Sequence, residues 1–372
     1  MVAKLLKPVP YAARLAGKRL RLLLVLGAVL VFGTFVVYLL APPVVFDKDA
    51  RQAIRQMGAG LRELKTLRER LGIPLDQNLD PVLSGLIGVD YTDLTTTLGD
   101  LRAKQTSLNP AFAGLLVQWL KQAGVPQGGS VALSFSGSFP ALNLAALCAC
   151  EALNLQPLII SSVGASSYGA NIPGFTWLDM EAWLFERGII RSRTSLASLG
   201  GILDTGGGID EQGIVLGEAA IAKHGAVYLR EGTTNNVSAD VERRMRLYCA
   251  RGTPAAFINV GGNVTSLGWV REAALLDNGL LSRVGSCASP RRGTIFRMAE
   301  AGVPVIHLIN IERLAAANHL PVGALARQTG NPQQIDLTAA RNNHLRQLGL
   351  LLLTWLVFAT LAAGCGLLAF RR

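Results

Sequence analysis

Two serines flanking a glycine, Ser136-Gly137-Ser138, stand between the apolar run SVALSF and the helix-forming stretch PALNLAALCAC. At a helix start such a triplet turns backbone amides and two hydroxyls toward one point, which suits an anionic group. The spacing matches neither a G-x-G-x-x-G nor a P-loop, and no lysine follows. It also departs from the G-x-S-x-G elbow, because Phe135 and Phe139 are not placed as that elbow requires. Three readings stay open: a turn capped by Ser138, an anion or substrate cradle made by Ser136, Gly137 and Ser138, and a nucleophilic Ser136 or Ser138.

Other chemistry-bearing residues follow further apolar runs. Ser166, Ser167 and Asn171 lie in the small-residue segment GASSYGAN, residues 164–171, which is read as a loop that turns tightly or admits an extended polymer. Asn263 closes INVGGN, and residues 200–210 and 231–236 are further polar, glycine-bearing segments. Asp179 and Glu181 diverge by about 200° on a helix and cannot easily share one ion. Asp179 is therefore read as a helix N-terminal acid or as a single acid or base. His307, inside VPVIHLINI, reads as a core histidine or as an acid–base partner to the serines. There is no C-x-x-C, and the four histidines make no zinc pattern, so neither metal nor cofactor is expected. Cys148 and Cys150 point to different helix faces, whereas Cys249 and Cys287 are geometrically able to pair.

The elements that must position these residues alternate in type. Residues 47–72 are charged and helical, with Ile54, Met57, Leu61 and Leu64 at helical spacing, and Pro74 ends them. They read as a stalk. Short apolar strands are expected at residues 130–135, 157–163, 226–229, 255–260 and 303–311. Helices are expected over residues 111–124, 141–153 and 177–187, with others centred on Ala219, Arg244 and Met298. This alternation predicts an α/β fold with a mostly parallel sheet covered by helices. Ligands of such sheets sit beyond the carboxyl ends of the strands.

The chain has 372 residues and a formal charge of +11, from 36 basic and 25 acidic groups. Half of its residues are apolar, which excludes a disordered or collagen-like chain. Six cations lie in residues 1–21 and two more are Arg371 and Arg372; without these eight, 28 bases face 25 acids. The cations flank two uncharged apolar stretches, residues 22–40 and 348–370, each long enough to span a bilayer. Positive charge stays cytoplasmic, so both termini are placed in the cytoplasm and the region between the spans outside it, anchored in the cell (inner or cytoplasmic) membrane. The domain plan is then a basic tail (1–21), span one (22–40), a helical stalk and connector (41–108), an extracytoplasmic α/β domain (109–340), span two (348–370) and a cytoplasmic end (371–372). Between the spans the charge is uneven, with a net of −3 over residues 47–239 and +6 over residues 240–347, where every base is arginine. Arginine pairs bidentately with carboxylates. The interleaved aromatics of a single-strand nucleic-acid surface are missing, and no nucleic-acid partner is expected.

Several ordered blocks carry a family resemblance. The runs DLTTTLGDLRAKQTSLNPAFAGLLV (93–117), SFSGSFPALNLAAL (134–147) and ISSVGASSYGANIPGFTWLDME (160–181) resemble the bacterial poly-gamma-glutamate system protein family. INVGGN (258–263) and HLINIERLAAANHLPVG (307–323) resemble its later blocks. The resemblance implies a membrane-anchored accessory component of poly-gamma-glutamate synthesis or export. Its partners would be the other membrane subunits, the polyanionic polymer and the bilayer. It supplies no catalytic residue. The expected role is binding or guiding polymer outside the cytoplasm, with Ser136, Gly137, Ser138, Ser166, Ser167, Asn171 and Asn263 as contacts. The alternative is an amidohydrolase or transferase that trims, releases or anchors the polymer, using Ser136 or Ser138 with Asp179 and His307.

Overall fold

Ser130–Ser136 forms β1 because its seven residues are almost all buried on both faces, as a central parallel strand requires. In the computed structural model, which describes residues 46–230, 237–281, 284–285 and 287–323 with Gly27 and Gly33, β1 lies at the middle of a seven-stranded sheet. The remaining strands are β2 (Gln156–Ser162), β3 (Leu196–Ser198), β4 (Val227–Tyr228), β5 (Ala256–Val260), β6 (Gly279–Leu281) and β7 (Val305–Leu308). Their order is β4-β3-β2-β1-β5-β7-β6, parallel throughout except for β6, which runs antiparallel to β7. The α/β class with a mostly parallel sheet is as expected. The strand order reverses between β1 and β5, so the loops after these two strands border the crevice of an open parallel sheet.

Helices cover both faces. On one side lie α1 (Lys48–Arg70), α3 (Ala111–Gln122) and α4 (Pro140–Ala152), which pack on one another, with α4 against β1, β2 and β5. Pro140 opens α4 at its first turn, where its missing N–H costs nothing. On the other side, Ala132, Ile160, Phe257 and Val305 meet Tyr248, Ile295 and Met298 in one apolar cluster. Tyr248 closes α7 (Val237–Tyr248), and Ile295 and Met298 belong to α10 (Thr294–Glu300). The remaining helices are α2 (Leu101–Ser107), α5 (Trp177–Glu186), α6 (Glu211–Lys223), α8 (Val264–Leu267), α9 (Val270–Ala273) and α11 (Ile311–Ala317).

The helix expected over residues 47–72 forms, with Asp47 accepting from the Ala50 amide at 2.9 Å as its N-cap. Its role differs from a free stalk. Ile54, Met57, Leu61 and Leu64 are buried, and α1 packs on α3, α4 and α5 as part of the α/β body. An apolar stripe states that one face is covered, and here the cover is the domain itself. Burial of each such side chain contributes about 1.5–3 kcal/mol, more than an exposed stalk could retain. Strand β7 is shorter than the predicted 303–311, because Asn310 adopts a left-handed conformation and α11 begins at Ile311.

Cys148, Cys150, Cys249 and Cys287 are all free thiols, so the possible Cys249–Cys287 pair is not formed. Burial pushes the Cys150 thiol up to about 12, leaving it inert. Among the described residues, no helix is long and apolar enough to cross a membrane. Apart from Gly27 and Gly33, the two expected spans, together with residues 1–21 and 371–372, lie outside the described residues.

Candidate functional site at the carboxyl edge of the sheet

The loop after β1 is shaped by close approach. Gly137 donates to Ser162 O at 3.0 Å, and a Cβ there would stand 2.6 Å from Val163 O. Only glycine lets the β1 and β2 loops come this near. The Ser138 amide donates to Ser136 Oγ at 3.2 Å, and the Ser166 amide donates to Ser138 Oγ at 3.0 Å. Asn143 of α4 donates to Ser136 O at 2.9 Å and holds the turn against the helix. Ser136, Gly137, Ser138 and Ser166 are therefore brought together.

A lysine that sequence reasoning did not single out sits at the centre of this group. Lys104 of α2 is 3% exposed. Its Nζ donates to Ser138 O at 2.5 Å and to Ser166 Oγ at 2.8 Å, and it stands 3.9 Å from the centroid of the Phe139 ring. Among the described residues, no carboxylate is bonded to it. Burial lowers its ammonium to about 7, with Asp100 pulling weakly the other way. It is therefore poised between charged and neutral forms near neutral pH.

The segment that carries Lys104 crosses the sheet edge as a strap. Between residues 88 and 97 it exchanges backbone bonds with the β2 loop: Gly88 donates to Tyr168 O at 3.0 Å, Tyr168 to Val89 O at 2.8 Å, Thr96 to Ala165 O at 2.9 Å and Ser167 to Thr97 O at 3.0 Å. Asn171 is fully engaged here. Its Oδ1 accepts from the Val89 amide at 3.1 Å, while its Nδ2 donates to Val89 O at 2.8 Å and Thr95 Oγ1 at 3.0 Å. Asn171 is thus a staple between strap and loop, because a buried amide finds its partners in nearby backbone before any ligand. Ser167 is buried under the same strap with its Oγ unpartnered.

The β5 side meets this group through Gly261, where a Cβ would lie 3.0 Å from Ser136 Cβ. Asn263 caps α8 by accepting from the Thr265 amide at 2.8 Å, and its Nδ2 donates to Asp204 Oδ1 at 2.8 Å. Asp204, in the glycine-rich loop after β3, also accepts from Ser198 Oγ at 2.9 Å and pairs with Arg244 of α7. Asp204 and Arg244 are both buried. The loops after β1, β2, β3 and β5 therefore converge, while residues 231–236, after β4, lie outside the described residues.

Two expected acid–base residues are not part of this group. Asp179 forms a capping box with Thr176 at the start of α5 and is bonded by Lys223 at 2.6 Å and His224 at 2.8 Å. Burial alone would raise its carboxyl, but the bonds from His224, Lys223 and Thr176 outweigh that and hold it well below the carboxylate range. His224 ends α6 just ahead of β4, so Asp179 is tied to the end of the sheet where strands begin. Its neighbour Glu181 is raised by burial to about 7 and accepts from the Thr194 amide at 2.7 Å. His307 is buried in β7, with Nδ1 3.1 Å from Asn259 Nδ2, and burial lowers it to about 4. It is a neutral core histidine at neutral pH. Neither residue bonds the serines: Asp179 is engaged by Thr176, Lys223 and His224, and His307 by Asn259.

Among the described residues, no cluster of three or more histidine, cysteine or acidic side chains is placed to hold a metal. The class defined by this geometry is an α/β protein with a hydroxyl- and lysine-lined site at the carboxyl edge of a mostly parallel sheet. No family model, curated protein or solved structure matches the chain.

Proposed function

We propose that this chain is a membrane-anchored accessory component of poly-gamma-glutamate synthesis or export, with its α/β unit outside the cytoplasm, where it holds or guides the polymer. The observation carrying this reading is the spatial meeting of the blocks that resemble the poly-gamma-glutamate system proteins. Thr96 and Thr97 of the first block bond Ala165 and Ser167 of the third. Lys104 of the first bonds Ser138 of the second and Ser166 of the third. Asn259 of the fourth bonds His307 of the fifth, and Arg102 pairs with Glu312 at 2.9 Å. Blocks spread over more than half the chain thus border one sheet edge, whose Ser138, Gly262 and Asn263 are open enough to meet a polymer. Deleting the gene is expected to abolish or shorten exported polymer, measured as yield and chain length, with recovery on re-expression. Unchanged yield and length would sink the reading.

A second reading, an amide-cleaving enzyme that trims or releases the polymer, is favoured by the contact of Lys104 Nζ with Ser166 Oγ. Neutral Lys104 would take the Ser166 hydroxyl proton as Oγ attacks an amide carbonyl, and the resulting ammonium would return that proton to the leaving amine. Water would then release the acyl group as a carboxylate, again with Lys104 as base. The nucleophile in this reading is Ser166 rather than Ser136 or Ser138. Full-length protein in detergent, incubated with polymer, should shorten it at a rate that rises with pH through about 7 as Lys104 loses its proton. Ser166→Ala should lower that rate about a thousandfold or more. Absence of any shortening removes this reading and leaves the first standing.

A further inference from the structure

A cavity of about 380 Å³ lies apart from the sheet edge, between the last turn of α1 and residues 74–89. Two oppositely charged side chains line it, Arg68 at 3% exposed and Asp80 at 2%. The Arg68 guanidinium is held by backbone carbonyls: Nη1 donates to Gly85 O at 3.2 Å and Ile87 O at 2.5 Å, and Nη2 to Pro74 O at 2.8 Å. Its Nε has no hydrogen-bond partner among the described residues. Asp80 Oδ2 accepts from Ser84 Oγ and the Gly85 amide, each at 2.8 Å, while Oδ1 has no partner. No hydrogen bond joins the two side chains. The cavity is therefore lined by one arginine and one aspartate, each fixed by hydrogen bonds and each keeping one buried polar atom without a hydrogen bond among the described residues. Leu75, Leu79, Ile87 and Val89 supply apolar surface between and around them.

Arg68 and Asp80 feel each other's charge, yet a buried polar atom without a hydrogen bond costs about 1–3 kcal/mol, so a complementary occupant is favoured. A simple anion would suit Arg68 but meet Asp80, and a simple cation the reverse. Both are satisfied by a small molecule carrying a carboxylate and an ammonium close together. We propose that this cavity is a binding site for a free α-amino acid, its carboxylate facing the Arg68 guanidinium and its ammonium facing the Asp80 carboxylate. The volume admits such a molecule with its side chain against the leucines. The site is independent of the polymer reading. It also lies at the root of the strap, since Gly88 and Val89 line it and bond Tyr168 and Asn171.

The test is calorimetric titration of the full-length protein in detergent micelles with glycine, L-leucine and L-glutamate. The same titration is run with 4-methylpentanoate and 3-methylbutylamine, which keep the leucine side chain but carry only one charge each. At least one amino acid should bind, and for L-leucine each single-charge analogue should bind about tenfold more weakly or worse. Asp80→Asn should weaken amino-acid binding by a similar factor without weakening 4-methylpentanoate. Because Arg68 and Asp80 also support the loop, circular dichroism and a thermal melt accompany every variant, and the analogue series on the unaltered protein stands without them. Absence of binding by all three amino acids up to about 10 mM would mean that the cavity holds water only, and would overturn the proposal. Equal binding of L-leucine and its single-charge analogues would overturn it as well.

Discussion

Replacing Asp204 by alanine is expected to destabilise the folded protein by about 3–5 kcal/mol, because it removes one partner of a buried ion pair with Arg244. Asp204 accepts from Ser198 Oγ and Asn263 Nδ2 and pairs with Arg244, so one side chain joins the loops after β3 and β5 to α7. Asp204 also holds a φ of 62°, which asparagine and aspartate tolerate better than alanine. Asp204→Asn separates the two effects, since it keeps the conformational tolerance while removing the charge. Chemical denaturation of the full-length protein should rank wild type above Asp204→Asn, and Asp204→Asn above Asp204→Ala. The double variant Asp204→Ala with Arg244→Met should recover part of the loss, because the arginine that faced the missing carboxylate is then gone as well. A loss within about 1 kcal/mol for Asp204→Ala would show that the pair is dispensable.

Lys104→Met is expected to reshape the pH dependence of stability. The ordinary lysine value of 10.5 falls to about 7 in the folded protein through burial. Between these values the unfolded chain binds more protons than the folded one, so stability rises with pH across the window. The contribution is complete above about 10.5 and is lost progressively as pH falls toward 7. Its slope approaches about 1.4 kcal/mol per pH unit at most. Methionine fills similar space without a proton, so the difference between wild type and variant isolates this group from other titrations. Near pH 7 the variant loses two hydrogen bonds but no longer buries an ammonium, and the effects offset in part. By pH 10 wild type should lead by several kcal/mol more than at pH 7. A constant difference between pH 7 and 10 would mean that Lys104 keeps its proton when folded. Under the enzymatic reading, the same substitution abolishes polymer cleavage at every pH.

Long apolar runs made β1, β2 and β5 legible, and the helical stripe made α1 legible, because burial of a continuous segment leaves a periodic trace in sequence. The three-residue strands β3 and β6 left no such trace. Their backbone bonds are supplied by the neighbouring ladders, β2 and β4 for β3 and β7 for β6. The serine–glycine–serine turn was readable from local spacing, since Ser136, Gly137 and Ser138 are adjacent in the chain. Asn171 was readable as a polar loop residue and was expected to contact the polymer. Its use as a staple depends on Val89 and Thr95, more than seventy residues earlier. The apolar stripe of α1 likewise predicted burial without naming the surface that provides it.

The amino-acid sequence by itself determined an α/β chain with a mostly parallel sheet and placed its hydroxyl-bearing turn at a strand end. These follow from local periodicity and backbone preference. Tertiary structure alone decided that Lys104 is buried among Ser138, Ser166 and Phe139, that Asp204 meets Arg244, and that Asp179 and His307 lie elsewhere. Protonation and pairing depend on the dielectric and charge surrounding a group, and those surroundings come from segments far away in the chain. A lone lysine in LRAKQTS looks like any solvated cation until the strap closes over the sheet edge and removes the water around it.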